Sequence, residues 1–279
     1  MDWIRAPSVA GMFYPEQENR LRAEVQAMLA EAAPGLDSAE RTPGQSIGEG
    51  APRVPHPKAI IAPHAGYVYS GPVAASAYSR LEGHAGSISR VILLGPAHRY
   101  PVRGMAASSA KAFQTPLGSV LLDQEAIARA MELPQVQLVD EAHEGEHSLE
   151  VHLPFLQVVL GDFSLVPLVV GEASHEEVAE VLEILWGGPE TLIVVSSDLS
   201  HYRPYVEANE IDRETARAIE RLEPEEIRYE QACGRMPMGG LLLRAREQGL
   251  AVECVDLRNS GDTAGSRDQV VGYGAWVFG

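Results

Sequence analysis

Short, uninterrupted aliphatic runs recur along the chain, and each ends in small or polar residues. Four of them cover residues 59–62, 90–94, 165–170 and 191–195, and residues 270–277 have the same character. Continuous aliphatic runs of this length are typical of strands that are buried on both faces. Segments with helical spacing alternate with the runs. We therefore predict an α/β fold with a central, mixed, mostly buried sheet covered by helices on both faces.

The spacing of apolar residues predicts helices over 17–33, 72–81, 176–186, 206–222 and 238–248. A length of 279 residues suits one α/β domain, so we expect a single domain over residues 1–279. Residues 34–57 interrupt the pattern, because they are rich in Pro, Gly and Ser and contain almost no large apolar residue. We interpret this segment as a flexible loop or insertion.

Three of the predicted strands are followed closely by a histidine. His64 follows the first run, His98 the second, and His201 the run at 191–195, with Asp198 just before it. Ligands bind at the carboxyl ends of the strands in open α/β sheets. Imidazole is both the commonest metal-binding side chain and the usual base near neutral pH. The pattern predicts one polar, metal-binding site at this edge of the sheet.

A fourth histidine-rich segment, HEGEHSLEVH, spans residues 143–152. His143 and His147 match the HExxH zinc-protease pattern, which requires a stable helix that places both histidines on one face. Gly145 disfavours such a helix by about 1 kcal/mol relative to Ala. Two alternatives remain: an acidic, solvated helix start, or side chains that line the cleft, for which the candidates are Glu146, His147, Glu150 and His152.

The two cysteines lie outside any CxxC spacing, so they do not form a disulfide scaffold. Cys233 precedes a predicted helix and is followed by Arg235, a setting that stabilises a thiolate. A small buried hydrophobic residue is the alternative. Cys254 lies in a strand-like run, and we expect a structural role for it.

The charge balance argues against two classes of partner. With 39 acidic and 22 basic residues, the net charge is −17. Such a surface repels nucleic acid and anionic membranes. The N-terminus does not resemble a signal peptide, and no apolar run approaches the roughly 18 residues of a membrane span. We expect a cytoplasmic protein that binds neither nucleic acid nor membrane.

Several motifs in order along nearly the whole chain resemble the Memo family, also called AmmeMemoRadiSam system protein B. They are Ala10-Gly11-Met12-Phe13-Tyr14-Pro15, APHAGYVYSGPVAA from Ala62, GPAHR from Gly95, Thr115-Pro116-Leu117-Gly118, EHSLEVHLPF from Glu146, SSDLSHY from Ser196, Ala232-Cys233-Gly234 and NSGD from Asn259.

The resemblance implies a fold similar to that of class III extradiol dioxygenases, which use a mononuclear non-haem iron. It implies that His64, His98 and Cys233 bind one iron or copper ion, that His201 is the acid/base residue, and that Asp198 lies beside it. In the dioxygenases a glutamate takes the place of Cys233. A thiolate softens the site toward Cu(I), Zn(II) or a redox-active iron and is itself oxidisable, so ring-cleaving dioxygenation is disfavoured.

Three hypotheses follow. The first is a metal-dependent redox protein with an unknown small-molecule or peptide substrate. The resemblance adds a pathway link to a radical-SAM protein and an AMMECR-type protein. The second is a zinc-dependent hydrolase that uses the same ligands or, less favourably, His143 and His147. The third is a non-catalytic cleft that binds a peptide or a partner protein.

Overall fold

The computed structural model describes residues 3–33, 54 and 56–279. These residues form seven α-helices, namely α1 (Glu18–Ala32), α2 (Tyr67–Tyr78), α3 (Gln124–Ala130), α4 (Leu153–Leu160), α5 (His175–Leu185), α6 (Tyr205–Glu220) and α7 (Arg235–Gln248). They also form twelve strands, namely β1 (Ile4–Arg5), β2 (Ala59–Ala62), β3 (Arg90–Pro96), β4 (Met105–Ala107), β5 (Ala112–Thr115), β6 (Gly118–Leu121), β7 (Val136–Leu138), β8 (Ser164–Val170), β9 (Thr191–Ser196), β10 (His201–Arg203), β11 (Val252–Asn259) and β12 (Val270–Phe278).

Nine of these strands form one mixed sheet in the order β10-β12-β2-β9-β3-β8-β4-β7, with β11 paired to β12. The four central strands β2, β9, β3 and β8 are parallel. Their register is close to level, since Ala62 pairs with Ser196 and Leu94 pairs with Val195. The carboxyl ends of β2, β3 and β9 therefore meet at one edge of the sheet. β1, β5 and β6 form a separate three-stranded sheet.

The central strands are buried on both faces. Every residue of β2 and of β9 is buried, and in β3 only Arg90 is partly exposed. Because successive side chains of a strand point to opposite faces, complete burial requires packing on both sides of the sheet. The helices provide it: α2 packs against β2 and β12, and α7 packs against β3 and β9. The predicted α/β fold is confirmed.

Each predicted helix is present, and most boundaries differ by one to three residues from those that the sequence predicts. The largest difference is at α2, which begins at Tyr67 and contains Pro72 inside the helix. The expectation for 34–57 lies outside the described residues except for Val54, His56 and Pro57. Among the residues that the structure describes, none of the helices is both long enough and apolar enough to span a membrane.

Candidate metal centre

The loops after β2 and β3 place two histidines side by side. His64 lies two residues beyond β2, and His98 lies two residues beyond β3. Because these strands share an edge of the sheet, the two imidazole rings approach each other, with centroids 5.1 Å apart. His64 is only 2% exposed, whereas the His98 side chain is 29% exposed. Of the three strand-end histidines that the sequence predicts to converge, His64 and His98 lie side by side.

A third histidine, His147, completes the cluster. Its ring stacks on His98 with centroids 4.7 Å apart and an interplanar angle of 22°, and it meets the His64 ring edge-on at 5.4 Å. One nitrogen from each of the three rings can be chosen so that all of them lie within 4.8 Å of one another. Three imidazole nitrogens at this separation form a donor set suited to one transition-metal ion.

His147 reaches the cluster because the segment 143–149 is not an α-helix. A 3₁₀ turn ends at Ala142, and another spans Glu150–His152. Between them Gly145 has a φ of +71°, a conformation that a side-chain-bearing residue rarely adopts. The chain therefore turns here. The HExxH zinc-protease pattern requires a continuous helix, so that interpretation of the sequence is wrong, and so is the acidic, solvated helix start.

His143 lies apart from the other histidines. It is 1% exposed, its Nε2 is 3.1 Å from the carbonyl oxygen of Ala106, and its ring packs edge-on against Phe113. Its own carbonyl oxygen accepts a hydrogen bond from Arg5. These contacts give His143 a role in packing, so it does not pair with His147 at a metal.

Hydrogen bonds fix the tautomer of His64. The Ser196 hydroxyl donates to the carbonyl oxygen of Ser148 at 2.6 Å, so it has no second proton to give. The contact of 2.6 Å between Ser196 Oγ and His64 Nδ1 therefore requires that Nδ1 carry the proton. The other nitrogen, Nε2, is left with its lone pair, as metal binding requires.

Glu146 fixes His98 in a similar way. Its Oε1 lies 2.9 Å from His98 Nδ1, and its Oε2 accepts the backbone N–H of His98 at 2.7 Å. Burial opposes ionisation of Glu146, but the hydrogen bonds from His98 and Ser148 outweigh it and lower the pKa of this carboxyl to about 2. An ionised carboxylate requires a donor, so Nδ1 is protonated and Nε2 is the free donor atom. Carboxylates commonly hold metal-binding histidines in this manner.

The cluster favours neutral imidazoles. Burial, together with the neighbouring histidines, lowers the pKa of His64 well below its ordinary value. Burial and the charges of His98 and Arg99 lower the pKa of His147 to about 4, although Glu146 and Glu150 act in the opposite direction. Neutral imidazole is the form that binds metal. The three residues therefore fit a metal ion in donor type, and the environments of His64 and His147 favour the neutral form that binds it.

Cys233 lies beside the cluster. Its Sγ is 3.4 Å from His64 Nε2 and accepts the backbone N–H of Asp198 at 3.3 Å. It is not among the three side chains whose donor atoms lie within 4.8 Å of one another. Burial and the negative charge of Asp198 raise the pKa of the Cys233 thiol, so it is protonated unless a cation lies next to it.

The loop that carries Cys233 packs tightly on the end of β9. A Cβ atom at Gly234 would lie 2.4 Å from the carbonyl oxygen of Ser196, and the Gly234 N–H donates to Ser197 Oγ at 3.0 Å. Only glycine permits this approach. The Ala-Cys-Gly sequence therefore fixes the position of the thiol relative to His64.

Asp198 stabilises the loop that carries His64. Its Oδ1 accepts the backbone N–H of His64 at 2.8 Å, and its Oδ2 lies 4.0 Å from His64 Nε2. Burial raises the pKa of Asp198 to about 6, although the hydrogen bond from His64 and the charges of His201 and His98 work against the rise. This carboxyl is poised to gain or lose a proton near neutral pH.

His201 opens onto a large cavity. Its Nδ1 lies 2.7 Å from the carbonyl oxygen of Leu199, so Nδ1 donates and Nε2 can accept a proton. The cavity has a volume of about 1340 Å³, and His98, His201 and Cys233 all line it. A ligand in this cavity lies next to the cluster and next to a histidine that is not part of it.

Two of the four residues suggested as cleft lining have other contacts. Glu150 is fully buried and accepts hydrogen bonds from Arg5, Tyr14 and the backbone of Ser8 and Val9. His152 is buried, with Nδ1 2.8 Å from the Tyr78 hydroxyl. These side chains hold the N-terminal segment and α2 against the 143–152 loop. Glu146 and His147, by contrast, belong to the cluster.

Sequence comparisons place these motifs in a family. The profile of the Memo-like protein family matches residues 5–277. The chain belongs to the Memo family. A MEMO1 family protein of Aquifex aeolicus is 35% identical over 99% of both chains, and one of Methanopyrus kandleri is 35% identical over 98% of both. A relative from Aeropyrum pernix is 36% identical over 98% of both chains.

One solved structure also resembles this Memo-family chain. The uncharacterized protein JW3007 from Escherichia coli K12 superposes with a TM-score of 0.48 at 14% sequence identity, covering 77% of this chain and 98% of its own. The family assignment rests on the sequence relatives, which match over nearly the whole chain.

The sequence named His147 as a lining residue and as a zinc ligand paired with His143, and did not predict that it joins His64 and His98. The signal that was available is its neighbour Glu146, a carboxylate next to a histidine in a segment rich in both. The roles of Ser196 and Ser148 had no signal in the sequence, because they depend on which loops meet.

Proposed function

We propose that this Memo-family protein binds one transition-metal ion, iron or copper, at His64, His98 and His147 and uses it in redox chemistry on a small molecule. The observation that carries the proposal is the set of three imidazole nitrogens within 4.8 Å of one another. The hydrogen bonds of His64 and His98 support it, since they leave Nε2 of both rings free. Iron, copper and zinc all accept imidazole ligands.

Cys233 is a further candidate ligand beside the three histidines. The family resemblance assigns it as the third ligand in place of His147. Its Sγ lies within 3.4 Å of His64 Nε2, a separation typical of two atoms that bind one ion. A cation there would stabilise the thiolate against the burial that now raises its pKa. A thiolate donor suits Cu(I), Zn(II) or a redox-active iron, and the preference for a redox metal comes from the family resemblance.

When bound, the metal would supply electron transfer and polarise a coordinated substrate atom. The chain's own residues do the rest. His201 accepts and returns a proton at Nε2, since Nδ1 is engaged by the backbone. Asp198 holds the His64 loop in place by accepting its backbone N–H, and burial raises the pKa of this carboxyl to about 6. His64 is only 2% exposed, so bulk water has little access to its ring.

The test is the metal content of single-alanine variants purified without oxygen. His64→Ala, His98→Ala and His147→Ala should each lose most of the bound metal while they remain folded, because two ligands do not hold the ion. Cys233→Ala should retain a fraction. If Cys233→Ala is metal-free and His147→Ala is fully loaded, the ligand set is His64, His98 and Cys233 instead.

A second candidate function is zinc-dependent hydrolysis, and the three-histidine donor set itself favours it. Three imidazoles with an open fourth position are a zinc arrangement that activates water. Elemental analysis of the anaerobically purified protein separates the two functions. Stoichiometric zinc, with neither iron nor copper, would replace the redox proposal by the hydrolytic one.

A further inference from the structure

The cavity beside the three-histidine cluster is lined by several arginines, although the chain as a whole is acidic. Although the protein carries 39 acidic and 22 basic residues, three arginines line this one cavity: Arg103, Arg203 and Arg235. They come from separate parts of the fold. Arg103 precedes β4, Arg203 ends β10, and Arg235 begins α7. The tertiary structure therefore collects guanidinium groups from three distant segments around one space.

Two of the three guanidinium groups are not neutralised within the described part of the chain. Arg203 Nη1 lies 3.3 Å from Glu207. Neither Arg103 nor Arg235 has a carboxylate oxygen within 4.0 Å among residues 3–33, 54 and 56–279. The Arg235 guanidinium instead lies over the Tyr229 ring, 5.6 Å from its centroid. An aromatic face restrains a guanidinium and leaves its N–H groups available.

The same wall carries three carboxylates, equal in number to the arginines, but none of them lies within 4.0 Å of Arg103 or Arg235 among the described residues. Glu177 Oε2 accepts the backbone N–H of Ser174 at the start of α5. Glu230 lies 3.7 Å from Arg228. Glu172 is the remaining carboxylate among the lining residues. The first turn of α7 also faces the cavity through Arg235, Met236 and Pro237, and a helix N-terminus carries partial positive charge. The wall is therefore balanced in formal charge, and it presents two guanidinium groups without a carboxylate partner among the described residues.

The arginines share this cavity with the candidate site, since His98, His201 and Cys233 also line it. A guanidinium fork matches the two oxygens of a carboxylate or phosphate. A ligand held by its anionic group at Arg103 and Arg235 would lie in the same cavity as His98 and His201.

We infer that the cavity binds a small molecule that carries an anionic group, a carboxylate or a phosphate, against Arg103 and Arg235. Any reaction of this ligand beside His98 rests on the proposed function, whereas the anion site itself does not. The Arg103 and Arg235 side chains are positioning residues in this scheme, because they fix the ligand and take no part in proton or electron transfer.

The experiment is calorimetric titration of the full-length protein, as purified and after metal removal by a chelator, with three probes. Succinate tests for a carboxylate, inorganic phosphate tests for a phosphate, and succinamide is the neutral control. We expect saturable binding of at least one anion and none of succinamide. Binding that persists after metal removal assigns the anion to the protein wall rather than to the ion.

The variant Arg103→Ala/Arg235→Ala should weaken anion binding at least tenfold and leave the metal content unchanged. The matched control is Arg213→Ala/Arg217→Ala, which removes the same charge from exposed positions on α6 outside the cavity. This control should bind within twofold of the wild type. Circular dichroism checks the fold, and Arg103→Lys and Arg235→Lys should bind more weakly than wild type even if the double variant does not fold.

Equal weakening in both double variants would reduce the effect to general electrostatics and overturn the inference. So would the absence of anion binding in the wild type. Both results leave the metal-content test of the ligand variants unaffected, so a failure of the anion site is distinguishable from a failure of the proposed function.

Discussion

Glu146 holds His98 by two contacts at once: Oε1 lies 2.9 Å from the ring Nδ1, and Oε2 accepts the backbone N–H at 2.7 Å. The carboxylate is 1% exposed and comes from a loop 48 residues further along the chain. This contact fixes both the tautomer and the position of the ring.

The first prediction follows from this contact. Glu146→Gln replaces the anionic acceptor with a neutral one, so Nδ1 loses a charge-assisted hydrogen bond and the ring loses basicity. We expect metal affinity to fall about 10–100-fold, as is typical when such a partner is changed. Competition with a chelator of known affinity measures it. Glu144→Gln, at an exposed position of the same loop, should leave the affinity unchanged, and an equal loss there would contradict the role of Glu146.

The second prediction separates proton transfer from metal binding. His201→Ala should retain its metal, because the described donor set consists of His64, His98 and His147. Any reaction that the protein catalyses should slow markedly. Elemental analysis and circular dichroism of the variant test this. A folded but metal-free His201→Ala protein would show that His201 is a ligand.

The third prediction concerns pH and Asp212 on α6. This carboxyl is 2% exposed; burial raises its pKa to about 6 against the effect of the Ser200 hydrogen bonds. Between the ordinary value of 3.8 and about 6, the folded protein binds more protons than the unfolded chain. Stability therefore falls as pH rises through this window, by about 3 kcal/mol in total for this group.

The Asp212→Asn variant has no titrating group at this position. Its free energy of unfolding should therefore lack the part of the pH dependence that comes from Asp212. Urea denaturation of both proteins between pH 4 and 8 measures the difference, and subtraction removes the contribution of other groups such as Asp198. Glu210→Gln, an exposed change on the same helix, should keep the wild-type slope. If wild type and Asp212→Asn show the same dependence of stability on pH, the pKa of Asp212 does not differ between the folded and unfolded states.

The fourth prediction concerns the buried pair of Arg5 and Glu150. Arg5 Nη1 lies 2.7 Å from Glu150 Oε2, and the side chains are 4% and 0% exposed. Glu150→Gln leaves a buried guanidinium without its counter-charge. We expect a loss of about 3–5 kcal/mol in the free energy of unfolding.

The surface pair of Glu18 and Arg22, 3.2 Å apart, gives the matched control. Glu18→Gln should change the free energy of unfolding by less than about 0.5 kcal/mol, because exposed ion pairs contribute little. Urea unfolding at pH 7 tests both variants. If they lose the same small amount, the buried pair does not hold the N-terminal segment in place.

The sequence by itself determined the fold class and the edge at which the site lies. Uninterrupted aliphatic runs indicate strands buried on both faces, and a histidine soon after a run must lie at the carboxyl end of that strand. His64, His98 and His201 were therefore predictable as a group, since each depends only on local order along the chain. The family motifs added Cys233, whose role as a ligand stays a prediction.

The tertiary structure decided which side chains complete the site. His147 joins His64 and His98 because the chain turns at Gly145, whose φ is +71°, in a segment that also matches a helical metal-binding pattern. Ser196, Glu146 and the arginines of the cavity wall come from segments far apart in sequence, and no local periodicity links them. Their contacts depend on how separate loops pack on one sheet edge, which sequence spacing does not encode.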